Sequence, residues 1–127
     1  MPGLGIESPW VIPPKEAHVS DEVFSPDGAF KVEFNSHEVR MSHWIDNPRV
    51  TFRDELLLDL WVPAASDWDA KATFDAPGTV TLHLRKYPGT APDFAIRIDA
   101  ETRTWKTLRG QCPEQMKRWL GKHLRES

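Results

Sequence analysis

The chain has one cysteine, Cys112, which rules out an internal disulfide and argues against a cysteine-built zinc site. Cys112 sits in GQCP just ahead of an expected helix, with nothing nearby in the sequence to stabilise a thiolate, so it reads as a partly buried thiol and not as a nucleophile. Long apolar runs are missing as well: the longest, Leu56 to Val62, is interrupted by Asp59 and falls far short of the roughly 20 residues that span a bilayer. The opening MPGLGIESPWVIPP has neither the basic start nor the apolar core of a secretory signal, so the expectation is a cytoplasmic, soluble chain with no membrane partner. There is no glycine-flanked serine elbow, phosphate-cradling glycine loop, HExxH helix or paired-carboxylate signature. The expectation is therefore a non-enzyme with no catalytic residues and no cofactor.

A metal is not expected either. His37 and His43 lie six residues apart in SHEVRMSHW, and on one extended strand they would be ~20 Å apart, too far to share an ion. Ser42 and His43 would face opposite sides of that strand, which disfavours a serine–histidine pair.

What is present is a duplication. FSPDGAFKVEF, Phe24 to Phe34, is answered by FDAPGTVTLHL, Phe74 to Leu84. Gly28 matches Gly78, and Phe30, Val32 and Phe34 match Val80, Leu82 and Leu84, the alternation of a half-buried strand. At 127 residues the chain suits a single domain over 1–127.

Residues 1 to 22, with Pro2, Pro9, Pro13 and Pro14, read as an arm over the domain, pinned by Trp10, Val11 and Ile12. A β meander should fill 23–110. Ser25-Pro26-Asp27-Gly28 is type I turn chemistry, leading to a strand from Ala29 to Asn35. A second strand is expected in SHEVRMSHW, ended by Asp46-Asn47-Pro48, and short strands at Val50 to Arg53 and Leu56 to Trp61. Further strands are expected at Lys71 to Phe74, Thr79 to Arg85, Phe94 to Ile98 and, after the DAET turn, through Trp105 to Leu108. Met116, Trp119, Leu120 and Leu124 recur at helical spacing, which predicts a helix over 113–125. The expected fold is mainly β, about eight antiparallel strands in two related halves, a sandwich or roll, with one C-terminal helix. The alternative is α+β with one large antiparallel sheet.

Charge is uneven although the net is −3. Asp54, Glu55, Asp59, Asp67 and Asp69 crowd the middle, and Arg103, Lys106, Arg109, Lys117, Arg118, Lys122 and Arg125 the end. Arg40 and Trp44, then His83, Arg85 and Tyr87, fall on outward strand positions, and tryptophan, tyrosine and arginine are the side chains that most often anchor interfaces.

The SPDG turn with its strand, and the DAET turn between strands, resemble blades of TolB-like or WD-type β-propellers, but two units are too few to close a propeller. VRMSHWIDNP (Val39 to Pro48) and LRKYPG (Leu84 to Gly89) resemble a group of small bacterial β-rich proteins of unassigned activity, similar in kind to immunity proteins. That resemblance implies a protein-binding module that neutralises a cognate toxin through Asp54, Glu55, Asp59, Asp67 and Asp69. The alternative is a small-molecule or nucleic-acid binder using Arg40, Trp44, His83, Arg85 and Tyr87, although the net negative charge makes a nucleic-acid partner the less expected. Oligomeric state is left open.

Overall fold

The computed structural model describes residues 19–38, 44–87 and 92–127. Two sheets enclose one hydrophobic core. The first contains β1 (Val19–Phe24), β2 (Phe30–Glu38), β3 (Trp44–Phe52) and β4 (Glu55–Asp59), in chain order and antiparallel throughout. The second contains β5 (Trp68–Thr73), β6 (Thr79–Lys86), β7 (Phe94–Asp99) and β8 (Thr104–Arg109), also an antiparallel meander. A short helix, α1 (Glu114–Leu120), follows, and β9 (Arg125–Glu126) adds to β8 in parallel. The mainly β expectation with a C-terminal helix holds, and the single-sheet alternative is set aside. No helix among the described residues is long and apolar enough to cross a membrane.

The duplication runs through both sheets. Val19, Phe30, Trp44 and Glu55 open β1 to β4, and Trp68, Thr79, Phe94 and Thr104 open β5 to β8, each 49 or 50 residues after its counterpart. The backbone repeats with the same offset. Gly28 and Gly78 both sit at φ +77°, a left-handed conformation that glycine adopts without a Cβ penalty. Arg53 and Arg103, in the turns closing β3–β4 and β7–β8, are left-handed as well. Each arginine reaches into the other half: Arg53 lies 4.0 Å from Glu101, and Arg103 is hydrogen-bonded to Glu55.

Alternation explains the core. Phe30, Val32 and Phe34 on β2 and Val80, Leu82 and Leu84 on β6 turn inward, where Val50, Leu58, Ile96 and Ile98 meet them. Phe30 packs on Phe52 with centroids 4.7 Å apart and faces Phe74 across the sheets at 6.0 Å; Trp68 meets Phe94 edge-on at 5.5 Å. Each fully buried side chain of this size contributes about 1.5–3 kcal/mol through removal from water. Met116, Leu120 and Leu124 complete the core, and α1 packs beside β4.

Four expectations are corrected. Residues 19–22, read as part of the arm, belong to β1, paired with β2; residues 1–18 lie outside the described residues. SHEVRMSHW is not one strand: β2 continues to Glu38, which faces Trp44 at the start of β3, so the chain reverses between them. The straight-strand separation of His37 and His43 therefore no longer applies; His37 faces Ile45, and His43 lies outside the described residues. Asp46-Asn47-Pro48 runs through the middle of β3, and Val50 belongs to that same strand. Proline is tolerated there because its φ suits extended chain and the group it contributes is its carbonyl, which accepts the Leu60 N–H at 3.0 Å. Finally, the helix ends at Leu120 and not at 125. Leu124 is still buried, but through a turn, and the last N–H groups, of Arg125 and Ser127, go to the Arg103 and Trp105 carbonyls of the sheet.

The sheets also meet along a seam. The first residues of β3 extend past the end of β4, and there side chains of β3 and β5 replace a backbone ladder. The Asp69 carboxylate accepts the Asp46 N–H at 2.8 Å, and the Asn47 amide donates to the carbonyls of Ala65, Ser66 and Trp68, the last at 2.7 Å.

Candidate functional site

Cross-strand register builds the outer face of the second sheet. Lys71, His83, Ala95 and Arg109 lie in one row across β5 to β8; Thr73, Thr81, Arg97 and Lys106 form the next, and Asp69 sits opposite Arg85. These positions alternate with the core residues of the same strands, so their direction follows from the burial of Leu82, Leu84, Ile96 and Ile98. Lys71, His83, Arg85, Lys106 and Arg109 are exposed, and the small, buried Ala95 leaves a dip between the longer side chains around it. A shallow cleft of about 200 Å³ opens there, lined by Asp69, Lys71, His83, Leu84, Arg85 and Asp93.

Three arginines of this face have carboxylates nearby. Arg85 Nε donates to Asp69 at 3.0 Å, Arg97 lies 3.9 Å from Asp75, and Arg109 lies 3.8 Å from Asp93. The two exposed pairs, Arg97–Asp75 and Arg109–Asp93, contribute about 0–1 kcal/mol each. The Arg97 pairing is incomplete: its Nε is buried with no hydrogen-bond partner, and Asp75 is shared with the Thr81 hydroxyl at 2.9 Å. Lys71 and Lys106 have no ion pair among the described residues. The face is thus a mixed-charge surface with its excess on the cationic side and one guanidinium short of acceptors.

The five acids singled out from sequence are dispersed. Asp69 is 7% exposed and holds the seam. Glu55 pairs with Arg103; Asp59 accepts the Trp61 N–H at 2.8 Å and lies 3.5 Å from Arg49. Asp54 is exposed in the left-handed turn before β4, and Asp67 is exposed at the entry to β5. Of the alternative set, His83 and Arg85 share the face just described. Trp44, 51% exposed, begins β3 in the first sheet, on a different sheet from His83 and Arg85. Tyr87 is half-buried just beyond β6, where its N–H bonds to the Asp67 carbonyl, and Arg40 lies outside the described residues.

Lys71, Arg97, Lys106 and Arg109 were not among the sequence-derived site residues. Period-two parity within β5, β7 and β8 contained the signal, but joining the rows required the register.

The remaining candidates carry no chemistry of their own. Cys112 is buried, with its pKa pushed up from 9.0 to about 11 by that burial, so the thiol stays protonated and inert near neutrality. Asp27 is held below the usual 3.8 by the Ser25 hydroxyl and the Ala29 N–H, hydrogen bonds that fix the first of the two matching turns. Among the described residues no three His, Cys, Asp or Glu side chains gather where they could hold a metal ion. Comparison with protein-family models, curated proteins and solved structures finds no match.

Proposed function

We propose that the chain is a non-catalytic protein-binding module whose docking surface is the outer face of the second sheet and whose partner presents an acidic surface. The observation that carries this reading is the set of exposed cations Lys71, Arg85, Lys106 and Arg109 on one continuous face, with Lys71 and Lys106 in no ion pair among the described residues. Carboxylates from a partner would pair with the Lys71 and Lys106 ammonium groups. A protein fits better than a nucleic acid because Asp69, Asp75 and Asp93 interleave with the cations, and each would repel a phosphate backbone. A reducing, cytoplasmic setting belongs to the same reading, and the free, buried Cys112 supports it.

The test is capture from an extract of the source cell, treated with nuclease, on immobilised protein. A specific partner should be retained by the natural chain and by Asp54→Lys/Asp67→Lys, and weakened at least about tenfold by Lys71→Glu/Lys106→Glu, since a like-charge contact costs several kcal/mol. Retention that ignores the lysine reversals but is lost with the aspartate reversals would move the site to the acidic surface and overturn this assignment. The narrower reading, an immunity protein with a toxin as its partner, rests on the resemblance of Val39–Pro48 and Leu84–Gly89. It requires that the captured protein arrest growth when expressed without this chain.

A further inference from the structure

A second cleft lies at one end of the sandwich, between the two matching turns. Ser25, Pro26 and Asp27 of the β1–β2 turn form one wall, and Phe74, Asp75, Ala76 and Pro77 of the β5–β6 turn the other, around a space of about 250 Å³. The duplication builds it, since each sheet brings its own copy of the turn to the same end. The walls are fixed by the chain itself. The Ser25 carbonyl accepts the Gly28 N–H at 2.8 Å, the Ser25 hydroxyl accepts the Phe30 N–H at 3.0 Å, and the Ala76 carbonyl accepts the Thr79 N–H at 3.1 Å. Phe74 is anchored on the core, its ring centroid 6.0 Å from that of Phe30. A preformed cleft with apolar walls and a few polar groups is the usual form of a small-molecule site, and at this size it takes a ligand of about one ring.

Each wall carries one acid. Phe24 matches Phe74, so Asp75 stands where the first copy has Ser25, and Pro77 where the first copy has Asp27. Asp27 and Asp75 are both exposed, and a ligand in the cleft can reach them. Asp27 is held by neutral donors, the Ser25 hydroxyl at 2.6 Å and the Ala29 N–H at 3.1 Å, both on Oδ1, which orient the carboxylate without cancelling its charge. Arg53 acts on it less than either hydrogen bond does. Asp75 takes the Thr81 hydroxyl at 2.9 Å and lies 3.9 Å from Arg97, both through Oδ2. Carboxylates and an aromatic ring both attract a cation, and carboxylates favour one that has N–H groups to donate. Pro26, Phe74, Ala76 and Pro77 supply apolar surface for the rest of the ligand.

We infer that this cleft binds a small arylalkylamine, its ammonium group donating to the carboxylates and its ring lying against Phe74 and the two prolines. The experiment is titration of the full chain with phenethylamine, with 2-phenylethanol, which has the same ring and no charge, and with capped lysine amide, which has the charge on an unbranched stem. Binding is followed by the NMR signals of the Asp27 and Ala76 backbone N–H groups. Phenethylamine should shift both signals and bind about tenfold more tightly than either of the others, the size of one charge-assisted hydrogen bond or of a buried ring. Asp27→Asn/Asp75→Asn keeps the oxygens that accept from Ser25, Ala29 and Thr81 and so should fold; it should lose phenethylamine binding about tenfold or more. Lys71→Glu/Lys106→Glu should bind the amine as the natural chain does, which keeps this result separate from the docking test. No shift at millimolar phenethylamine, equal binding of phenylethanol, or unchanged affinity in the double asparagine variant would each overturn the inference. Capped lysine binding as tightly as phenethylamine would overturn it too, by assigning the cleft to a side chain of a partner protein.

Discussion

At the scale of single residues, the Asn47 side chain makes hydrogen bonds that elsewhere fall to backbone. Asn47 gives its side-chain amide to the carbonyls of Ala65 and Ser66, in the connection between the sheets, and of Trp68 at the start of β5, while its backbone carbonyl takes the Trp61 indole N–H. Asn47→Ala should therefore cost about 3 kcal/mol, since buried carbonyls lose their donor together, and urea unfolding measures it. Cys112 gives a different signature. Its folded pKa of about 11 is above the 9.0 of the exposed thiol, so between those values the unfolded chain has released its proton and the folded one has not. Stability should be unaffected by this thiol below pH 9 and decline as pH rises toward 11; Cys112→Ala should remove that part of the decline in unfolding measured across the range. The buried thiol was legible in the sequence; the role of Asn47 was not. Asn47 stands in Asp-Asn-Pro, a string that reads as a strand terminator, and only the overlying connection explains why a buried amide is wanted there.

At the scale of elements, the matched hairpins were legible because each copy combines turn chemistry with strict alternation, so Gly28 and Gly78 predicted the same left-handed residue that both adopt. Alanine at either position should cost about 1 kcal/mol for the left-handed conformation. Gly78→Ala should lose more, because its Cβ would meet Glu101 Cγ at 3.3 Å, whereas nothing lies within 4 Å of Gly28. The difference between the two urea midpoints checks this. The reversal between Glu38 and Trp44 was not legible: Val39 to His43 contains no glycine, proline or asparagine, and its residues alternate as a strand would. The helix end was hidden for a related reason, since Leu124 keeps the apolar spacing although a turn delivers it to the core. The docking face was half legible. Parity pointed to His83 and Arg85, but the alignment of Arg109 with Ala95 depends on a register shift between Ala95 and Ile96 that no residue pattern announces.

At the scale of the whole molecule, each half is a four-stranded meander with one apolar face, and among the described residues that face is covered by the other half together with Met116, Leu120 and Leu124. Neither meander has a core of its own, so the two should behave as complementary fragments. A chain cut within Pro63–Ala65, outside both sheets, should yield two pieces that purify together and that separately expose apolar surface to a hydrophobic dye. Independent folding of either piece would show that the shared core is dispensable. The reciprocal contacts of Arg53 with Glu101 and Arg103 with Glu55 give the pieces a register as well as an affinity.

The seam at Asp69 and Asn47 has a consequence for how such a protein can change over generations. A ladder of backbone hydrogen bonds is indifferent to which side chains it carries, and no single substitution erases it. Along this seam the join is written in two side chains, beside the shared core and the reciprocal arginine pairs, so the way the halves meet there is open to revision one codon at a time.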